Sequence, residues 1–177
     1  MERIWNRSIR YLHWLVAVLL VLVWAFVELH EMAEKGGVWR DRWTMLHFSL
    51  GALILVLMLY RLILRRRHDV PPFTGPRWQK GLSKLIHAGL YLVVIALPII
   101  GMTMRQFAGK PVILFGSLQI PQWLPVRPEL AETLAWLHKD LLWYVFLVLV
   151  SVHVIGALWH HFLNRDDTLR RMMPLRR

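Results

Sequence analysis

The stretch FLVLVSVHVIGALWHHF, residues 146–162, decides the fold because it is apolar for long enough to cross a membrane. A bilayer core about 30 Å thick needs roughly 20 apolar residues in a helix. His153 lies in the middle of this stretch. An ionisable side chain among Val, Leu and Ile is costly in hydrocarbon and usually has a function. The stretch therefore predicts a transmembrane helix whose histidine has a binding partner.

The composition of the whole chain agrees with a membrane protein. Of the 177 residues, 56% are hydrophobic, and the mean hydropathy is +0.42. There are ten tryptophans, several of them near the ends of apolar runs, as is typical of a membrane interface. The net charge of +11 does not indicate nucleic acid, because the basic residues flank apolar runs and are explained by lipid headgroups and insertion rules. The expected surroundings are membrane lipid.

Four apolar runs predict four transmembrane helices in a single membrane domain covering residues 1–177. They span about residues 11–29, 44–64, 82–104 and 134–162. Lys and Arg are unevenly distributed: 15 lie at the termini and between the second and third runs, and 7 lie on the opposite side. The positive-inside rule then places both termini in the cytoplasm. The predicted fold is an all-α, up-down-up-down four-helix bundle.

This topology sorts the histidines of the spans into two layers. His47 and His138 lie on the outer side, whereas His13 and His153 lie towards the cytoplasm. His138 and His153 are 15 residues apart on one helix, which is roughly 22 Å along the axis and about 60° around it. Both can therefore face the bundle interior. Neutral imidazole is a normal axial ligand of haem iron, so the simplest interpretation is two bis-histidine haems, one in each layer.

The role of His87 stays open, because it shares the cytoplasmic layer. It could replace His13 or His153 as a ligand, or bond a haem propionate or a quinone. A single membrane histidine can also merely hydrogen-bond a neighbouring helix.

Two glycines follow proposed ligands by about one turn. Gly51 follows His47 by four residues, and Gly156 follows His153 by three, so each lies on its ligand's helix face. They leave room for a porphyrin, although small residues also allow close packing of membrane helices.

Other cofactor classes agree less well with the sequence. The chain has no Cys, which excludes disulfides, cysteine-ligated clusters and covalently attached haem. Zinc and di-iron sites need ligands at one level, often carboxylates, and the spans contain almost none. His30 and His68, at or beyond span ends, are predicted to be solvated.

Four stretches together resemble the bacterial cytochrome b561 family, and the resemblance covers nearly the whole chain. They are SIRYLHWLVAVLL (8–20), LHFSLGALILVLMLYRL (46–62), HAGLYLVVIALPIIGM (87–102) and SVHVIGALWHHFLNRDDTLRRMMP (151–174). The family consists of four-helix proteins of the bacterial inner membrane with two b haems. It is similar to the haem-bearing membrane subunits of formate dehydrogenases and nickel–iron hydrogenases. The resemblance implies that His13 and His153 ligate the inner haem, and that His47 and His138 ligate the outer one.

The family's characterised activity implies that the chain oxidises periplasmic superoxide and passes electrons to ubiquinone. No catalytic residue is assigned. Depth alone suggests groups near a quinone on the cytoplasmic side: His87, Lys80, Lys84, His160 and His161. The outer side has 7 basic and 7 acidic residues, so any steering of superoxide must be local. Lys139 and Arg105 are the candidates.

Two alternatives to a superoxide oxidase remain at this stage. The chain could be the membrane anchor and electron conduit of a larger periplasmic dehydrogenase. It could also be a haem-free transporter or sensor.

Overall fold

The computed structural model describes residues 4–73 and 75–173 and consists mainly of long helices. These are α1 (Arg7–Met32), α2 (Val38–Arg67), α3 (Arg77–Phe107), α4 (Pro128–Trp136) and α5 (Leu142–Phe162). The four predicted spans are confirmed as helices long and apolar enough to cross a membrane, the fourth running from Pro128 to Phe162. Three of the arginines behind the predicted orientation lie outside the described residues: Arg3, Arg176 and Arg177.

The helices are longer than the apolar runs that predicted them. The Asn6 side chain caps α1 by accepting a hydrogen bond from the Ser8 amide at 2.9 Å. Gly36, at a φ of 81°, forms the turn between α1 and α2. Basic residues fill the last turn of α2, where cations interact favourably with the helix dipole. Backbone hydrogen bonds therefore carry the helices past their apolar segments, and a side-chain cap supports this at the start of α1.

A π-helical segment, Leu137–Leu141, joins α4 to α5 and contains His138. A π turn accommodates one extra residue, so the 15 residues between His138 and His153 act like about 14 in an α-helix, or roughly 40° from full register. The two histidines still share one face of the fourth span.

The core lies between the two histidine layers. The first three helices pack in sequence order, and α3 also packs against α4 and α5. In the fourth span the buried Phe146 lies between His138 and His153. The other buried core residues are Val16, Leu19, Ile54, Met58, Val93 and Val94. An apolar cluster thus separates the two layers and keeps them as distinct sites.

The connection between α3 and α4 contains a small hairpin that the sequence did not predict. Strands β1 (Val112–Leu114) and β2 (Leu118–Ile120) are antiparallel. Val112 and Leu114 are buried, and Ile113 between them is exposed. The Phe115 amide donates to the Ser49 hydroxyl of α2 at 2.8 Å. The hairpin is therefore fixed to the outer half of the bundle.

Gln106, near the end of α3, holds the rest of this connection. Its buried amide donates to the Pro121 carbonyl at 2.8 Å and accepts from the Trp123 amide at 2.8 Å. A buried amide satisfied on both ends is a rigid attachment. The outer connection is therefore folded against α3 as well as α2.

Candidate functional site

The outer histidines come together as the depth argument predicted. The ring centroids of His47 and His138 are 6.3 Å apart, with an angle of 82° between the rings. The Nδ1 atom of His47 lies 3.3 Å from the Val23 carbonyl, and that of His138 lies 2.9 Å from the Leu97 carbonyl. A carbonyl only accepts, so Nδ1 carries the proton in each ring and Nε2 keeps its lone pair. This is the arrangement that orients a histidine for metal binding.

The outer pair lines a small cavity whose wall includes several small residues. Gly51, Ala52, Pro98 and Gly101 lie around the two rings with Phe48 and Met102. A Cβ atom on Gly101 would lie 3.0 Å from Cε1 of His138. Only glycine at that position leaves the imidazole where it is, and this role of Gly101 was not predicted from the sequence.

The inner layer contains three imidazoles. The ring centroids of His13 and His153 are 6.0 Å apart, and those of His87 and His153 are 5.2 Å apart. Nδ1 of His87 donates to the Ser83 carbonyl at 2.6 Å. The structure therefore brings together all three inner histidines that the sequence singled out. Position alone leaves two possible partners for His153.

These residues fit haem better than a bare metal ion. Among the described residues, no three His, Asp or Glu side chains form a group that could hold a metal ion. A porphyrin supplies its own equatorial ligands, so the protein needs only axial ones. An imidazole nitrogen lies about 2 Å from a bound metal and its ring centre about 1 Å farther, so two axial imidazoles place their centroids roughly 6 Å apart. The pairs His47–His138 and His13–His153 match that spacing.

The two glycines predicted to make room for a porphyrin have different surroundings. A Cβ atom on Gly156 would meet nothing within 4 Å, whereas one on Gly51 would lie 3.8 Å from the Cβ of Pro98. Gly51 therefore also serves helix packing, while the space beside Gly156 is open.

The two predicted outer cations lie close to the outer pair. Arg105 lies over the ring of Phe48 at 5.2 Å, and Phe48 follows His47 in the chain. The guanidinium of Arg105 also donates a hydrogen bond to the Pro111 carbonyl at 3.0 Å. Lys139 is exposed, and its charge acts on the neighbouring His138. Two cationic side chains therefore lie near the outer pair.

The predicted quinone-side residues are not all brought together. Lys80 and Lys84 are exposed on the first turns of α3, and His161 contacts only Phe162 among the ring contacts of the described chain. His160 is partly buried, and its Nδ1 is hydrogen-bonded to Asp166.

The carboxyl of Asp166 is a polar group at this end that was not predicted from the sequence to belong to a site. Burial raises the pKa of the Asp166 carboxyl, but hydrogen bonds from Thr168 and His160 lower it by a larger amount. The pKa of Asp166 is therefore below its ordinary value. His160 and Asp166 therefore form a histidine–carboxylate pair beside the cytoplasmic end of α5.

The prediction that His30 is solvated is wrong. Its Nδ1 is 2.8 Å from the Thr44 hydroxyl and 3.2 Å from the Arg40 carbonyl, and the ring is partly buried between α1 and α2. The turn at Gly36 brings the start of α2 back against the end of α1, which buries this histidine. His68 is exposed as predicted.

The fold and site define an integral membrane helix bundle with histidines paired in two layers, a class that carries haem between helices. The family model for prokaryotic cytochrome b561 matches residues 4–175. A protein of Yersinia pestis named probable superoxide oxidase CybB is 37% identical over 169 residues, which cover 94% of this chain and 93% of that protein. Two proteins of Escherichia coli K12 are also similar. Cytochrome b561 homolog 1 is 29% identical over 94% of this chain and 95% of its own length, and homolog 2 is 32% identical over 91% and 86%.

The chain belongs to the prokaryotic cytochrome b561 family. It is a multi-pass, haem-binding membrane protein that transfers electrons, which confirms the fold and the class predicted from the sequence.

Proposed function

We propose that the chain binds two b haems and transfers electrons from superoxide, outside the inner membrane, to ubiquinone at the cytoplasmic side. The observation that carries this proposal is the pairing of histidines in two layers, at centroid distances of 6.3 and 6.0 Å. The name of the Yersinia relative supports superoxide as the donor. Haem supplies reversible one-electron chemistry when it is bound.

His47 and His138 would hold the outer haem, and His13 and His153 would hold the inner haem. The carbonyls of Val23 and Leu97 fix the tautomers of the outer pair. His13 would be the partner of His153 in holding the inner haem, because their ring centroids are 6.0 Å apart, which leaves room for an iron atom, whereas those of His87 and His153 are only 5.2 Å apart. His87 is then a neighbour of the inner haem.

The protein's own charges would guide the small substrate. Superoxide is an anion, and a local positive potential raises the rate at which it arrives. Lys139 and Arg105 supply that potential beside the outer histidines. The electron balance requires two superoxide ions, each oxidised to oxygen, for every quinone that takes up two electrons and two protons.

The protons would come from the cytoplasmic side, which is the side that the charge asymmetry predicts for both termini. His160 and Asp166 form a pair that can hold a proton at Nδ1 of His160. Among the residues predicted for the quinone side, His160 and His87 are therefore favoured over the exposed Lys80 and Lys84.

The test is stopped-flow reduction of the purified, oxidised protein by a pulse of superoxide, followed by addition of ubiquinone. Lys139→Glu should slow haem reduction several-fold at low salt and less at high salt, because salt screens exposed charges. Lys80→Glu makes the same charge change on the opposite side and should leave the rate unchanged. Haems that stay oxidised under superoxide, and are reduced only by a separate periplasmic protein, would favour the electron-conduit function instead.

A further inference from the structure

Arg61, on α2, is a buried cation with no anionic partner among the described residues. Arg61 is only 9% exposed to solvent, and its Nε atom makes no hydrogen bond. None of the ion pairs within residues 4–73 and 75–173 includes it. A buried arginine of this kind in a membrane span is costly unless an oxyanion neutralises it.

The position of Arg61 places it in the inner layer. It follows His47 by 14 residues, which is about 21 Å along the helix and roughly 40° from the same face. Helix α2 therefore presents His47 to the outer layer and Arg61 to the inner one. The charge of Arg61 acts on the imidazoles of His13, His87 and His153.

Tyr91 provides a second, independent sign of a ligand at this place. Its hydroxyl is buried and has no hydrogen-bond partner in the described chain. The guanidinium of Arg61 lies 5.4 Å from the Tyr91 ring centroid, and that of Arg65 lies at the same distance. Tyr91 also follows His87 by one helical turn, so the two share a face of α3. Two unpartnered donors thus converge beside the inner histidines.

Among the described residues, no carboxylate pairs with Arg61. The described carboxylates on the cytoplasmic side, Asp69, Asp166 and Asp167, follow the ends of α2 and α5 and lie outside the spans. A guanidinium binds a carboxylate through two parallel hydrogen bonds, and a tyrosine hydroxyl can donate to the same group.

We propose that Arg61 and Tyr91 form a carboxylate-binding site that holds a propionate of the inner haem. This inference rests on the proposed function, since it requires a haem between His13 and His153. The other source of an oxyanion is a phospholipid headgroup. The propionate is the better match because Arg61 faces the same layer as the three imidazoles and is almost fully enclosed by protein.

The experiment compares the purified haem-loaded protein with Arg61→Gln, Arg61→Lys and Tyr91→Phe. Arg66→Gln is the matched control, since Arg66 is exposed on the same helix. The first measurement is the rate of haem transfer to an excess of apomyoglobin, and the second is the midpoint potential of each haem. Arg61→Gln should release one of the two haems about tenfold faster or more, because a charge-assisted pair is lost. It should also lower the potential of that same haem.

Arg61→Lys should recover part of the retention, and Tyr91→Phe should show a smaller loss confined to the same haem. These milder variants carry the test if Arg61→Gln does not assemble. Arg66→Gln should stay within about twofold of the wild-type rates, since exposed charges interact weakly with buried groups. Unchanged release in the Arg61 variants, or equal acceleration for both haems, would overturn the proposal.

The lipid source is tested by repeating the measurements in nanodiscs of zwitterionic lipid alone and of mixed anionic lipid. The propionate site predicts the same effect of Arg61→Gln in both. An effect that appears only with anionic lipid would assign Arg61 to a headgroup. A wild-type protein with fewer than two haems would contradict the proposed function, whereas two haems with unaffected Arg61 variants would contradict only this inference.

Discussion

Gly101 gives the sharpest structural prediction about the outer site. A Cβ atom at this position of α3 would lie 3.0 Å from Cε1 and 3.3 Å from Nδ1 of His138. Side-chain atoms pack at about 3.5–4.0 Å, so Gly101→Ala must displace the imidazole by several tenths of an ångström. The same ring donates to the Leu97 carbonyl at 2.9 Å. The displacement therefore weakens the hydrogen bond that orients the proposed ligand.

The expected magnitude follows from the role of that hydrogen bond. Loss of a partner that orients a metal-ligating histidine typically reduces metal affinity about 10–100-fold. Gly101→Ala should lower the retention of the outer haem by that order and leave the inner haem unchanged. Gly81→Ala, on the same helix, would meet nothing within 4 Å. Both changes gain about 1 kcal/mol of helix propensity, so their difference isolates the contact with His138.

The assay is haem transfer from the purified protein to an excess of apomyoglobin, followed by the absorbance of the two haems. Gly81→Ala should behave like the wild type. Two haems retained equally well in Gly101→Ala would refute the assignment of His138 as a ligand oriented by Leu97. Loss of both haems together would indicate a general packing defect and would also contradict the reasoning.

Three further predictions address the inner site, the topology and the cytoplasmic end. His13→Ala should remove one haem and His87→Ala should keep both, as counted by haem per chain; the reverse would make His87 the axial ligand. A reporter active only outside the cytoplasm should be silent at the C-terminus and active after Gly109, and the opposite pattern would invert the two layers. Asp166 has a lowered pKa in the folded protein, so it stabilises the fold above its ordinary pKa, and this contribution is lost as the pH falls through the folded value. Asp166→Asn should therefore lower the melting temperature by about 2–4 °C at pH 7, whereas in strong acid the variant and the wild type should melt at nearly the same temperature. An equal loss at the two pH values would exclude the ionised carboxylate as the cause.

The layers of histidines could be predicted from the sequence because depth in a membrane is nearly a function of position along a helix. Each residue advances about 1.5 Å, and the apolar runs fix where a helix crosses the bilayer. His47 and His138 thus share a level whatever the details of packing. The same arithmetic cannot say which of two rings at one level is nearer to His153. That distance depends on how the helices are rotated against each other. In the structure, the rings of both His13 and His87 contact the ring of His153.

The features that the sequence did not predict depend on contacts between distant residues. The role of Gly101 arises from His138 on another helix, and a glycine in an apolar run gives no sign of its neighbour. The hairpin strands have three residues each, too few for an alternating pattern to be recognised. Arg61 is one of the 15 basic residues counted for the orientation, and its burial could not be predicted because it follows from the packing of α2 against α3. The helices were predicted too short, because hydropathy identifies the segment that lies in the hydrocarbon and not the full length of the hydrogen-bonded helix.

The central claim is that two haems are each held by two histidines, one pair in each layer. The most direct measurement combines a haem count per chain with low-temperature electron paramagnetic resonance of the oxidised, purified protein. Two haem b per chain, both low-spin as expected for two axial imidazoles, is the predicted result. One haem per chain, or a high-spin signal from an iron with a single histidine ligand, would contradict it.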